Sequence, residues 1–325
     1  MTTRRTLRAG IALIATLAAA SAAAAQPASY DRSWGSRGSA TGQFFLAHGI
    51  AATPDGIVYV ADTVNRRIQK FTASGAYLGS WGSVVDGLDM FPGGVGVDAA
   101  GNVYVADVGN DRILKFNSSG GLLARWGSFG SGPGQFNGAN DVEVGANDVV
   151  YVAEFGNHRV QTFTTAGQVL GGWGTQGSGD GQFESPLKLA TDALAHVYVV
   201  DGALHRVQKF TAAGVFVLGW GSRGAGNGEL EGPSGVVIDP LGRVIVTDTG
   251  NHRMQRFSST GQFEAVWGSF GAAPGQFHFP TDVAADHLGH LFVMDKDNDR
   301  VQRFSDFTTP AHTPTWGSIK RRYRD

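Results

Sequence analysis

The chain has 325 residues, of which 48 are glycine and only 17% are charged. Many glycines together with Val, Phe, Trp and Tyr favour short strands joined by tight turns. There is no cysteine, which excludes disulfides, thiolate metal sites, cysteine nucleophiles and lipid attachment through cysteine.

The first 25 residues predict an export signal. Three arginines lie among the first eight residues, an apolar run covers residues 9–17, and small residues continue to Ala25. The basic start partly resembles a twin-arginine signal. A membrane anchor is the weaker alternative, because the apolar run is shorter than the ~20 residues that a membrane span needs. We therefore expect a periplasmic or extracellular protein with no transmembrane span in the mature chain.

The charge balance disfavours nucleic acid as a partner. Residues 1–25 hold three basic and no acidic residues, which leaves 23 basic against 28 acidic residues in the remainder. An acidic body is a poor general binder of nucleic acid. We interpret the basic residues at 319–325 as a solvated tail. The predicted organisation is a signal peptide (1–25), a repeat domain (26–318) and this tail.

A strand-like segment that closes with an acidic residue recurs six times. The closing acids lie 45, 47, 47, 47 and 47 residues apart, and they are Asp62, Asp107, Glu154, Asp201, Asp248 and Asp295. Each copy carries four strand signals, separated by turns that contain Gly, Asn, Asp or Pro. Four strands in ~45 residues fit a propeller blade better than a solenoid coil. The sequence predicts an all-β, six-bladed β-propeller of four-stranded antiparallel blades.

Tryptophan follows the same repeat, but seven tryptophans serve six copies. One outer strand is therefore surplus, and the chain begins with one at residues 30–34. We predict that this N-terminal strand completes the last blade and closes the ring. The segment 313–316 is the alternative, although Pro310 and Pro314 weaken it as a paired strand.

The repeat resembles a known family. Gly-Gln-Phe is followed by Pro and Gly-Ile-Ala, then by Val-Tyr-Val-Ala-Asp, and then by Asn-X-Arg-Ile-Gln and Phe. The segment from Asp248 to Arg253, with Gln255 and Phe257, is close to the family consensus for the last part of this pattern. This pattern is similar to the NHL repeat and covers residues 34–318. The resemblance implies a six-bladed propeller. It implies no single function, because the family includes RNA-binding domains, protein-interaction scaffolds and peptidylglycine amidating lyase.

Residues that recur in every copy are predicted to build the blade. Each closing acid has an arginine five residues later, as in Asp62 and Arg67, and we expect six ion pairs that fix the turn between the second and third strands. An Asn in this turn suits a left-handed or Asx conformation. His158, His205 and His252 lie 47 residues apart in three such turns, and we interpret them as turn residues and not as zinc ligands.

The polar residues that break the repeat lie where the inner strands begin. Six blades converge there on the central axis, so these side chains can approach one another. We predict a ligand-binding site at this channel mouth, formed by His48, Asn140, Asp141, Lys188 and Asp282, with Phe155 and Lys296 from neighbouring turns. The alternative is that these are solvated channel residues that pair with each other.

The leading functional interpretation is a non-enzymatic binding or scaffold protein. The amidating lyase is similar in fold and uses a zinc held by three histidines, whereas here His48 is the one histidine at an inner-strand start. A metal-assisted lyase or lactonase-like hydrolase is the alternative. We predict no catalytic residue and no cofactor, and the sequence leaves a calcium or zinc ion open. We expect a monomer that binds a protein, peptide or carbohydrate.

Overall fold

The computed structural model describes residues 26–305, so the predicted signal peptide, the basic tail and the segment 313–316 lie outside it. Within the described range no helix is long and apolar enough to cross a membrane. The helical structure consists of three short 3₁₀ turns, at Val108–Asn110, Thr249–Asn251 and Lys296–Asn298. The fold is otherwise built from strands, as the glycine and β-former content predicts.

The strands follow the repeat in chain order. They are β1 (Ser29–Trp34), β2 (Gly49–Ala52), β3 (Ile57–Asp62), β4 (Arg67–Thr72), β5 (Tyr77–Gly82), β6 (Val84–Val85), β7 (Leu88–Asp89), β8 (Pro92–Val97), β9 (Val103–Asp107), β10 (Arg112–Phe116), β11 (Leu122–Trp126), β12 (Ala139–Val144), β13 (Val149–Glu154), β14 (Arg159–Thr164), β15 (Val169–Trp173), β16 (Pro186–Thr191), β17 (Val197–Asp201), β18 (Arg206–Phe210), β19 (Phe216–Trp220), β20 (Val236–Ile238), β21 (Val244–Asp248), β22 (Arg253–Phe257), β23 (Phe263–Trp267), β24 (Pro280–Ala285), β25 (His290–Asp295) and β26 (Arg300–Ser305).

These strands form six four-stranded antiparallel sheets, which confirms the predicted propeller. Blades 1 to 5 are β2–β5, β8–β11, β12–β15, β16–β19 and β20–β23, and β6 and β7 form a small ribbon between the first two. Blade 6 has the order β1-β26-β25-β24, so its outer strand comes from the N-terminus. Ser29 pairs with Ser305 and Trp34 with Val301. The prediction that the N-terminal strand closes the ring is therefore confirmed.

The hydrophobic core lies between neighbouring blades. One buried cluster, for example, joins Tyr59 and Ile68 of blade 1 to Val105 and Leu114 of blade 2. Five of the outer-strand tryptophans, all but Trp267 among residues 26–305, also lie over a turn glycine of the next blade, as Trp81 does over Gly120. A Cβ there would approach the indole to 2.7 Å, and the glycine has a φ of +88°. The regular tryptophan and glycine positions are thus contacts between blades.

The recurrent acid organises each turn between the second and third strands. The Asp62 carboxylate is fully buried and accepts hydrogen bonds from Arg67 Nε (2.8 Å), Gln69 Nε2 (3.0 Å) and the backbone N–H of Phe45 (2.8 Å). Asn65 donates to the same carboxylate at 2.9 Å. The left-handed residue is the next one, Arg66, at a φ of +58°. The turn is therefore left-handed at the residue after the asparagine, whose side chain binds the acid.

The predicted ion pair forms in five blades and is absent from the fourth. Asp201 accepts backbone hydrogen bonds from Glu184 and Ser185 instead, and Arg206 Nε has no hydrogen-bond partner among residues 26–305. The asparagine of this turn is replaced by Leu204. The expectation of six equivalent pairs was therefore wrong for blade 4, where the amide that helps to orient the acid is missing.

The repeated histidines connect blades. His158, His205 and His252 each occupy the left-handed position of the turn, and Nδ1 of each bonds to backbone of the following connector. The acceptor for His158 is the carbonyl of Glu184, at 2.8 Å. Asp111 serves the same purpose in blade 2, where it accepts a hydrogen bond from the N–H of Gly138. These contacts support the interpretation of the histidines as turn residues.

Closure by β1 predicts a stability effect that can be measured. Trp34 packs against Phe71 of blade 1 and Phe292 of blade 6, so Trp34→Ala removes a contact on both sides of the closure. We expect a loss of about 3 kcal/mol or more and a lower Tm. Arg32→Ala is the control, because Arg32 is an exposed residue of the same strand. Equal Tm values for the two variants in thermal unfolding would contradict the closure.

Candidate functional site

A buried lysine crosses the centre of the channel. Lys188 begins the inner strand of blade 4, and its Nζ donates to Asp141 Oδ1 of blade 3 at 3.1 Å and to Asp282 Oδ2 of blade 6 at 2.7 Å. All three residues are 5% exposed. The carboxylates also accept the backbone N–H groups of Leu189 and Ile50, both at 3.0 Å. The channel is thus closed by two carboxylates that share one ammonium, a cluster we call the ionic plug.

Glycine makes room for this cluster. The inner strands approach so closely that a Cβ on Gly94 would lie 1.9 Å from Asp141 Oδ1. A Cβ on Gly235 would lie 2.7 Å from the Cα of Asp282. The glycines at these inner-strand starts therefore complement the charged residues of the neighbouring blades. A larger residue at either position would displace a carboxylate from the lysine.

The ionic plug is charged at neutral pH. Burial by itself would lower the pKa of Lys188, but Asp141 and Asp282 outweigh it and raise that pKa. Burial raises the pKa of Asp282 to about 6, with Lys188 opposing and Asp141 adding to the rise. Asp282 is therefore mostly ionised at pH 7 while Lys188 carries its proton. A buried pair of this kind needs both partners, because an unpaired charge in the same place is costly.

Two cavities lie on opposite sides of the ionic plug. The mouth cavity, on the face of the turns between second and third strands, has a volume of about 220 Å³. It is lined by His48, Thr63, Gly93, Val108, Asn140, Leu187, Lys188, Ser234 and Thr281. The basal cavity, at the other end of the channel, has a volume of about 320 Å³, and Asp141, Glu143 and Asp282 are among its lining residues. The lysine faces one cavity and the carboxylates the other.

His48 enters the mouth cavity as a neutral imidazole. Burial, with Lys296 and then Lys188, lowers its pKa to about 4, although the Leu46 carbonyl and Asp297 act in the opposite direction. Thr63 donates its hydroxyl proton to the Pro92 carbonyl at 2.7 Å, so it accepts from His48 Nδ1 at 3.1 Å. A neutral imidazole that donates through Nδ1 has Nε2 as an acceptor. His48 can therefore receive a hydrogen bond from a ligand.

Other polar residues of the mouth cavity join one blade to the next. Asn140 Nδ2 donates to the Leu187 carbonyl at 2.7 Å, and Ser234 Oγ donates to the Thr281 carbonyl at 2.7 Å. Thr281 differs from them. It is 8% exposed, and its hydroxyl has no hydrogen-bond partner within the described residues. A buried hydroxyl without a partner is costly, and a ligand group or a water molecule at this position would satisfy it.

The residues predicted for the site divide into three groups. His48, Asn140 and Lys188 line the mouth cavity, whereas Asp141 and Asp282 lie beyond Lys188 in the lining of the basal cavity. Phe155 and Lys296 line neither cavity. Phe155 is 42% exposed and lies against Gly138, and the ammonium of Lys296 is 3.6 Å from Asp297.

Sequence reasoning missed several residues of the mouth cavity. Thr63 and Val108 follow the recurrent acid directly, at equivalent positions of blades 1 and 2. Phe155 and Lys296 occupy the same position in blades 3 and 6, so comparison of this position across all six copies would have found them. Ser234 and Thr281 stand beside the glycine and aspartate of two inner-strand starts. The sequence provides only weak evidence that Ser234 and Thr281 belong to the site, since a single hydroxyl residue is common in turns.

Glu143 is a third carboxyl group near the ionic plug. Burial, followed by the charges of Asp141 and Asp282, raises its pKa to about 8, against smaller opposing effects of Lys188 and Thr191. It is therefore mostly protonated at pH 7. Within residues 26–305, no group of three or more His, Asp or Glu side chains is arranged to hold a metal ion.

The raised pKa of Glu143 predicts a pH-dependent stability. An unfolded glutamate has an ordinary pKa of about 4.5, so between pH 4.5 and 8 the folded state holds a proton that the unfolded state has lost. The free energy of unfolding should fall as the pH rises through this window. Glu143→Gln should remove that part of the slope in urea unfolding measured from pH 5 to 9. A slope identical to that of the unchanged chain would contradict the burial of this carboxyl.

Two family models match parts of the chain. The NHL repeat matches residues 136–163 and 230–257, and the SMP-30/Gluconolactonase/LRE-like region matches residues 30–130. No curated protein sequence matches the chain.

Solved structures share the fold at low sequence identity. A structural genomics protein of unknown function from Bacteroides thetaiotaomicron is 17% identical, with a TM-score of 0.66, over 86% of this chain and 76% of that one. A streptogramin B lyase is 13% identical, with a TM-score of 0.56, over 80% and 93%. A catalytically inactive virginiamycin B lyase from Staphylococcus aureus with quinupristin is 11% identical, with a TM-score of 0.55, over 81% and 85%. The chain is thus a six-bladed β-propeller that contains NHL repeats and an SMP-30/gluconolactonase-like region.

Proposed function

We propose that this protein is an exported, non-enzymatic binding module that holds a polar ligand group in the mouth cavity. The observation that carries the proposal is the lining of the 220 Å³ mouth cavity, which brings together the neutral imidazole of His48, the ammonium of Lys188 and the side chain of Thr281. His48 supplies an acceptor, and no carboxylate lines this cavity. A carbohydrate hydroxyl or a peptide terminal carboxylate fits this lining better than a cationic group does.

The ionic plug supports binding over metal-assisted hydrolysis or lysis. Asp141 and Asp282 are the two channel carboxylates that a calcium ion would use, and both already bind the ammonium of Lys188. A divalent cation at this position would have to displace a buried lysine. The likeness to streptogramin and virginiamycin B lyases is a likeness of fold, and we assign no lyase chemistry to these residues on that basis.

Elemental analysis separates the two functions. We expect protein purified without chelator to contain less than a stoichiometric amount of zinc or calcium, because the lysine occupies the place of the cation. Inductively coupled plasma mass spectrometry on the full chain measures this directly. A stoichiometric metal that is lost in the Asp141→Asn variant would overturn the binding-module proposal in favour of the metal-assisted enzyme.

A thermal-shift panel of acidic and neutral saccharides, short peptides and lactones tests the mouth cavity. Compounds that raise the Tm are then titrated by calorimetry against Thr281→Val. This variant should fold as well as the unchanged chain, since it removes a hydroxyl without a partner, and it should weaken binding about tenfold.

The matched control is Thr53→Val, which makes the same change at an equally buried threonine that does not line the mouth cavity and whose hydroxyl has partners. Thr53 donates to Asp55 Oδ1 at 2.5 Å and accepts from the N–H of Ile57 at 2.9 Å, so this variant should lose about 1 kcal/mol of stability and keep its affinity. Variants of Lys188 are unsuitable, because they would leave two buried carboxylates without a cation. Unchanged affinity in Thr281→Val, or hits that bind without these residues, would reject the mouth cavity as the site.

A further inference from the structure

The basal cavity is separate from the proposed ligand site and has the opposite character. Its lining includes the aliphatic side chains of Val95, Val97, Val144, Leu189 and Val236, and about half of its surface is polar. No lysine or arginine of the described chain is among its lining residues, and five carboxyl groups are. Its volume of about 320 Å³ is within the range of cavities that hold small molecules.

The carboxyl groups at the inner end of this cavity exceed the positive charge available to them. Asp141 and Asp282 share a single ammonium, that of Lys188, and both are 5% exposed, while Glu143 lines the same cavity. Buried carboxylates need a paired charge, and Lys188 can balance only one of them. Burial first, and the charges of Asp141 and Asp282 second, raise the pKa of Glu143, so that it keeps its proton at neutral pH.

The ionisable residues at the outer end of the basal cavity do not supply a positive charge to the inner carboxyl groups. Asp98 accepts hydrogen bonds from Asn102 and Tyr104 and lies 3.9 Å from Lys115, so its polar contacts are with residues of its own blade. Asp148 is exposed at the rim. His287 is the one basic lining residue among those described, and its backbone N–H donates to the Pro54 carbonyl in the same rim. The inner carboxyl groups therefore face a cavity whose described lining includes no lysine or arginine.

We propose that the basal cavity binds a small organic cation, a primary ammonium group on a compact apolar body, with the ammonium beside Glu143. The aliphatic walls would bury the apolar body, at roughly 25 cal/mol for each Å² removed from water. The ammonium would supply the charge that Lys188 alone does not. Because a bound cation favours the ionised carboxylate, binding below pH 8 releases the Glu143 proton.

Benzylamine and benzyl alcohol test this site as a matched pair of probes. They have nearly the same shape, and only the amine is charged at pH 7. Calorimetric titration of the full chain should show benzylamine binding at least tenfold more tightly than benzyl alcohol. The binding enthalpy should depend on the buffer and report a release of protons, up to one for each amine bound.

Two variants assign the effect to Glu143. Glu143→Gln should weaken benzylamine about tenfold, abolish the proton release and leave benzyl alcohol unchanged. Asp180→Asn is the control, because it removes an acidic charge from an exposed connector. Equal affinities of the two probes, no binding of the amine, or unchanged amine binding in Glu143→Gln would each overturn the proposal. The comparison of probes on the unchanged chain keeps the test decisive even if a variant folds poorly. Its outcome is independent of the mouth cavity, whose test uses Thr281.

Discussion

The channel depends on one buried ammonium that two carboxylates share. Lys188 reaches Asp141 of the adjacent blade and Asp282 two blades away, so three blades meet at one charged group. This contact closes the channel and separates two cavities. It also gives them different chemistry, because the lysine lines the mouth cavity while the aspartates line the basal cavity. The proposals for a polar ligand at one end and an organic cation at the other both follow from this polarity.

The repeat explains why such a cluster can be positioned accurately. Most blades contact the next through a tryptophan that lies over a turn glycine and through a left-handed turn residue that bonds to the following connector. The ring is closed by β1, so the first and last blades are held as firmly as the others. The closed ring brings charged residues of blades 3, 4 and 6 into contact at its centre.

Sequence patterns predicted the parts of the structure that repeat. The six blades, the closing strand and the ion pair of Asp62 with Arg67 follow from spacing, because each is local or occurs at a fixed distance along the chain. The exception in blade 4 also had a visible signal in Leu204. The candidate site was predicted only as a set of residues near the axis. The division of these residues between the two cavities depends on the width of the channel, because that width decides whether Lys188 reaches Asp282. The width of the channel cannot be deduced from patterns in a single sequence.

The most direct test of the ionic plug is the free energy of unfolding of Lys188→Met at pH 7. Removal of the ammonium leaves Asp141 and Asp282 buried together, and we predict a loss of about 3–5 kcal/mol in urea unfolding. The triple variant Lys188→Met with Asp141→Asn and Asp282→Asn should recover most of that loss, because no uncompensated charge remains. A loss below about 1 kcal/mol for Lys188→Met, the value of an exposed ion pair, would contradict a buried plug at the centre of the channel.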